Sequence, residues 1–183
     1  TSIMPVNETG SVGSSGIASQ DTGGSATSSS SSGSLGGTAG GDPNFQAPGY
    51  PAEMTRGVME RIIRKESILR GIDPDVAVAI FRAEGAGSYQ STVPRTGNGS
   101  LGGREASFGP YQLYIGGGMG NDYQDRTGRD LTTDNTRDGI INQIRFALDQ
   151  AIALSWQPWY GRGPAGVGRY EGLNGAKPAG NWS

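Results

Sequence analysis

Residues 81–90 read FRAEGAGSYQ and set one carboxylate, Glu84, where an apolar helix runs out, with two glycines in the next three positions. Val76, Ile80 and Glu84 recur every four residues, a step that drifts only about 40° around a helix, so the three share one side of it. Glu84 therefore points where its apolar neighbours point. Partial burial disfavours the ionised carboxylate, and the negative end of the helix dipole acts in the same direction. A carboxylic acid that keeps its proton near neutral pH is what a general acid for glycosidic cleavage requires. The same position also suits an ion pair with Arg82 or Arg104, and the residue pattern alone leaves both readings open.

Composition narrows the chemistry further. The chain has no Cys and no His. Disulfides, thiol nucleophiles, Ser-His-Asp triads and His/Cys zinc sites are thereby excluded. Proton transfer falls to carboxylates, tyrosines or the two lysines, Lys65 and Lys177. The formal charge is −2, and Glu8, Asp21 and Asp42 precede Glu53 with no basic residue among them. No basic footprint for nucleic acid appears. The longest apolar run, around residues 76–81, is far too short to span a bilayer. The chain opens on Thr1 with no charged-then-apolar leader, which reads as a processed or excised piece.

Several elements must position Glu84. Residues 9–41 are Ser, Gly or Thr at 25 of 33 positions, too polar a stretch to offset its ordering entropy. Residues 1–49 therefore read as a flexible Ser/Gly-rich arm, closed by the turn-rich DPNFQAPGYP, and residues 50–183 as the folded part. A first helix is expected over 52–70, with Val58, Met59, Ile62, Ile63 and Leu69 on one stripe and Gly71 as its stop. A second is expected over 74–84, with Asp73 as N-cap, Pro74 in its first position and Asp75 at the positive end of the dipole. Its interior, VAVAIF, is apolar nearly all round, the mark of a buried helix. Residues 85–120 read as irregular loops with a small hairpin, YQSTV and YQLYI being the candidate strands. A long helix comes next over 135–154, with Ile140, Ile144, Leu148 and Ile152 at fourfold spacing. The aromatic, glycine-rich stretch after it reads as a loop packed on the domain. The fold class is mainly α, with no internal repeat.

A second motif, ASFGPYQLY over residues 106–114, comes after Glu84 at the end of a loop of about 20 residues. Taken with DPDVAVAIFRAEG before it and DNTRDGIINQIRFAL after it, the chain resembles the family 23 lytic transglycosylases and the goose-type lysozyme-like fold. That family has a helix that ends in a catalytic Glu, then a loop, a serine, a Gly-Leu-Met-Gln segment and a further helix. The likeness spans about residues 72–148 and is nearest to domains carried by phage tails, including tape-measure proteins, where SFGP-Q-L, GGG-G-D and W-PWYG occur together. Pro110-Tyr111 stands where the family has Leu-Met, and RYEG at 169–172 is only a loose counterpart of its Tyr-Asn-x-Gly segment.

The resemblance implies a lysozyme-like single domain in which Glu84 is the sole catalytic acid/base, cutting the bond between N-acetylmuramic acid and N-acetylglucosamine. Ser107 and Gln112 would hydrogen-bond the sugar or orient Glu84, and Tyr111, Tyr114, Trp159 and Tyr160 would stack on sugar faces. A transglycosylase needs no second carboxylate, since the acetamido group of the sugar assists and its 6-hydroxyl attacks. A muramidase would need one, and Glu105, Asp122 and Asp125 are the candidates. The partners implied are peptidoglycan glycan strands and phage tail proteins holding the 1–49 arm, and the location is the virion, acting in the periplasm and cell wall. A catalytically silent tail module and a cellular wall-remodelling enzyme are the alternatives. No cofactor and no metal are expected. GNGSLG at 97–102 matches a dinucleotide fingerprint literally, yet no strand precedes it and no helix opens from it. NDYQDRTGRD lacks the order of a calcium loop and reads as a solvated loop.

Overall fold

Helices begin where the first free N–H groups find acceptors. In the computed structural model, which describes residues 41–183, helix α1 (Arg56–Arg70) is opened by Thr55, whose hydroxyl accepts from the Val58 N–H, and closed by Gly71 at φ 72°. The cap sets the start at Arg56, later than residue 52, and residues 51–54 form a turn instead. The N–H groups of Arg56 and Gly57 donate to the carbonyls of Phe45 and Pro43. Ala47 is buried, and the Tyr89 N–H donates to the Pro48 carbonyl. Residues 43–49 are thus part of the fold, which corrects the boundary expected at residue 50. Residues 1–40 of the expected arm lie outside the described residues.

Helix α2 (Pro74–Glu84) matches its sequence signals closely. The Asp73 side chain accepts from the Asp75 N–H, Pro74 takes the first turn, and Val76, Ala77, Val78, Ile80 and Phe81 are buried. Residues 85–118 then carry two ribbons. Strand β1 (Ser100–Leu101) pairs antiparallel with β2 (Arg104–Glu105), and β3 (Ser107–Phe108) with β4 (Leu113–Tyr114), Ser107 facing Tyr114 across the second pair. The expected strand at 89–93 is no strand: it contributes a single bridge, Gln90 with Phe108, and runs beside 105–107 through loop hydrogen bonds.

The acidic segment expected as a solvated loop is a correction of the opposite kind. It forms helix α3 (Met119–Thr127), which the Asn121 side chain opens by accepting from Gly117 and Gly118 N–H and which Gly128 closes at φ 69°. Tyr123 anchors it, fully buried, with its hydroxyl on Asp134. Helix α4 (Arg137–Leu154) starts at its Thr136 cap and buries Ile140, Ile144, Phe146, Ala147 and Leu148. The final segment is irregular apart from a 3₁₀ turn, Tyr160–Arg162. Helix α1 packs on both α2 and α4, and the 3₁₀ turn packs on α2. The architecture of the described residues is thus mixed, four α-helices and two small ribbons, with helix predominating. Among the described residues no helix is long and apolar enough to cross a membrane.

An ion cluster pins the end of the chain to this frame. Arg70, 2 % exposed, donates to Asp149 at 2.6 Å, to Glu66 at 2.8 Å and to the Asn181 side chain at 2.6 Å. Asp149 also accepts from the N–H groups of Ala179 and Gly180 and from the Trp182 indole. Burial alone would push both acids up. The hydrogen bonds from Arg145, Arg70 and Asn181 to Glu66, and from the tail and Arg70 to Asp149, outweigh it and hold both below the ordinary carboxylate range. Acids lowered in the fold add stability above their unfolded pKa and lose it as pH falls through the folded value. Arg70→Met leaves Asp149 buried with no cation beside it and should cost about 3–5 kcal/mol in urea unfolding at pH 7. The deficit should shrink as the medium is acidified and both acids take up protons.

Candidate functional site

The last turn of α2 brings Glu84 to a groove between that helix, the two ribbons and the 3₁₀ turn. Two cavities of about 420 and 470 Å³ share Glu84, Glu105, Gln112 and Tyr160 among their lining residues, so they are two halves of one groove that meet at Glu84. One half runs along residues 87–93. The other is lined by Arg95, Ser107, Tyr114, Met119 and Trp159. Tyr50 fixes the helix end from behind, its buried hydroxyl donating to the Gly85 carbonyl at 2.9 Å.

Glu84 is partly buried and belongs to no ion pair among the described residues. Arg82, one of the two cations expected beside it, has its guanidinium on both oxygens of Glu60 instead, at 2.8 and 2.9 Å. Glu84 Oε1 accepts the Gly161 N–H at 2.6 Å. Burial raises the Glu84 pKa, the Gly161 N–H pulls it back, and the negative charge of Glu105 raises it again. The balance lies above the ordinary value. Gly161 must be glycine for this: a Cβ there would lie 2.8 Å from the Ala83 Cβ and 2.8 Å from Glu84 Oε1.

The other expected residues divide sharply. Ser107 reaches the groove but spends its hydroxyl on Glu105 Oε1 at 2.6 Å. Gln112, held at φ 47°, donates its amide to the carbonyls of Gly109, Tyr89 and Ser88, so it ties the loop after Glu84 to the turn before β4. Tyr114 lines one half of the groove, wedged where a Cβ at Gly99 or Gly116 would collide with its ring. Tyr160 stands 95 % exposed on the rim. Tyr111 is a correction: it is 1 % exposed, lines neither half, and donates its hydroxyl to the Ala77 carbonyl inside the core. Trp159 presents only an edge, being 2 % exposed with its indole N–H on the Tyr111 carbonyl.

Of the three further carboxylates, only Glu105 shares the groove with Glu84. Asp125 lines a separate cavity beside Gln124 and Arg129, Asp122 lines none of these cavities, and Tyr170 lines another with Ile152 and Leu173. Among the described residues there is no group of three acids placed to hold a metal ion. Sequence reasoning missed Gly161, because a backbone N–H leaves no signature in residue type, and it missed Arg95. No family model, no curated protein and no solved structure matches the chain.

The balance at Glu84 can be read directly by following its side-chain carboxyl carbon in an NMR titration. Glu105→Gln removes a negative charge and should lower the Glu84 pKa. Gly161→Ala displaces the donor and should raise it. A raised carboxyl destabilises the fold as pH climbs from the unfolded to the folded pKa, because the unfolded chain ionises first. Glu84→Gln should therefore melt no lower than the wild type at pH 7, with any advantage vanishing at acid pH.

Proposed function

We propose that this chain is a lysozyme-like peptidoglycan lytic transglycosylase that cuts the bond between N-acetylmuramic acid and N-acetylglucosamine, with Glu84 as its one acid/base. The observation that carries the reading is a half-buried carboxyl, raised above its ordinary range and in no ion pair among the described residues, at the junction of a groove. Each half of the groove falls within the ~300–1,000 Å³ typical of small-molecule sites. The segments around Glu84, Ser107 and Gln112 that resemble the family supply the substrate class.

In this reading the protonated Glu84 gives its proton to the bridging oxygen as the bond to C1 of the muramic acid breaks. The acetamido oxygen of the same sugar closes on C1 and carries the positive charge. Glu84, now a carboxylate stabilised by the Gly161 N–H, then takes the proton of the 6-hydroxyl as that oxygen attacks C1 and expels the acetamido group. The product is a 1,6-anhydro end, no water is consumed, and Glu84 regains its proton. Tyr160, exposed on the rim of both halves, offers a face for a sugar ring beside the acid, and Tyr114 borders one half.

Hydrolysis is the second reading, favoured by one observation: Glu105 lines both halves of the groove with Glu84. There Glu105 would activate water or stabilise the cation at C1. The resemblance to tail-borne domains further suggests a virion component that acts on the cell wall, with tail proteins as partners of the N-terminal arm.

Incubation with purified peptidoglycan and mass analysis of the muropeptides tests both readings. Anhydro ends, lighter by one water than hydrolysed ends, are expected. Hydrolysed ends that vanish in Glu105→Gln would replace this mechanism with the second. No new ends at all would leave a silent structural module. Glu84→Gln should lower turnover by at least about a hundredfold, the usual scale of a lost general acid.

A further inference from the structure

Arg95 is the one cation among the residues that line the two halves of the groove. Its backbone is fixed on both sides: its N–H donates to the Gly103 carbonyl at 3.0 Å, and its carbonyl accepts the Ser100 hydroxyl at 2.7 Å. Its guanidinium lies over the Tyr114 ring, 5.0 Å from the centroid. A guanidinium carries five N–H donors. Among the described residues only Nη1 finds an acceptor, Glu105 Oε2 at 3.5 Å, the longest of the ion pairs. The guanidinium is therefore a planar, 41 % exposed fork at the groove, most of whose donors have no acceptor among the described residues.

We propose that Arg95 is the subsite for a carboxylate carried by the stem peptide of the substrate, a reading that rests on the function proposed above. With Glu84 protonated, the other charge among the lining residues is Glu105, so a substrate carboxylate is disfavoured beside Glu105 and attracted at Arg95. The fork of a guanidinium matches the two oxygens of a carboxylate and gains strength from charge. The cation–π contact with Tyr114 holds the guanidinium at the groove before the ligand arrives, and Glu105 holds it by a bond long enough to yield. Strands with free stem carboxylates therefore bind better than strands in which those carboxylates are masked.

The test is calorimetric binding of soluble glycan strands to the full chain carrying Glu84→Gln, which holds the substrate uncut. One batch of strands has free stem carboxylates, the other has them amidated. Amidation should weaken binding about tenfold, the scale of a charge-assisted hydrogen bond. Arg95→Gln should weaken binding of the free strands by a similar factor and erase the difference between the batches, whereas Arg95→Lys should keep part of it. Melting temperatures equal to the parent protein exclude misfolding as the cause. Equal binding of the two batches, or a difference that persists in Arg95→Gln, overturns the proposal. Muropeptide products of the unmodified chain report on the enzymatic reading separately: Arg95-dependent binding without new ends sinks the transglycosylase alone, and cleavage indifferent to amidation sinks the subsite alone.

Discussion

One close backbone approach assembles the groove. Gly85 ends α2 with its main chain against the carbonyls of Gly109 and Pro110, so close that a Cβ at Gly85 would fall within 2.5 Å of the Pro110 carbonyl carbon. That contact brings the helix carrying Glu84 against the ribbon of β3 and β4, which carries Ser107 in its first strand and Gln112 in its turn. Gly109 is bound by a matching constraint: it stands at φ 80° with the Gln143 side chain where a Cβ would be. The Tyr50 hydroxyl on the Gly85 carbonyl and the Gln112 amide on the Tyr89 and Gly109 carbonyls then lock the two segments from opposite sides. None of these locks involves Glu84 itself. The carboxyl is left with one hydrogen bond and the groove.

This economy sets the chemistry. A carboxyl clamped by a guanidinium stays ionised, and one in open water titrates in the ordinary range; neither holds a proton at neutral pH. Burial is the largest of the perturbations on Glu84, and Glu105 adds a charge of the same sign, so its carboxyl lies above the ordinary range. The Gly161 N–H works against them, since a neutral donor favours the carboxylate without pairing it as a cation would.

Legibility in the sequence tracks how local each feature is. Helix α2 is readable to the residue, since Asp73, Pro74 and the apolar run are adjacent in the chain. Helix α4 is readable from its fourfold isoleucines, and its start shifts only to the Thr136 cap. Helix α3 is not, because Tyr123 is its single deep anchor and charged residues cover the remaining faces. The ribbons cannot be seen as such, for strands of two residues are too short to show alternation. At the site, the inward aim of Glu84 is carried by Val76 and Ile80, two helical steps and one step away. Its donor lies 77 positions further on, and the Arg70–Asp149 pair is separated by 79, distances that no window of residues spans.

The fate of the aromatic residues explains why half of the expected sugar platforms are structural. A chain with 33 glycines and long irregular segments must tie down main-chain carbonyls that no helix or sheet satisfies. Buried Tyr and Trp do that work, each offering an apolar body to the core and one polar atom to a partner. Tyr50 holds Gly85, Tyr89 holds Leu131, Tyr111 holds Ala77, Trp156 holds Glu171, and Trp159 holds Tyr111. Tyr111 and Trp159 also meet edge to face at 6.2 Å, so moving either ring toward a ligand would break a hydrogen bond and a ring contact together. Tyr114 and Tyr160 are different: among the described residues neither hydroxyl has a protein partner, and both rings border the groove. The rings whose polar atoms are unspent are thus the ones that border the groove, and in this fold a buried tyrosine is first a staple.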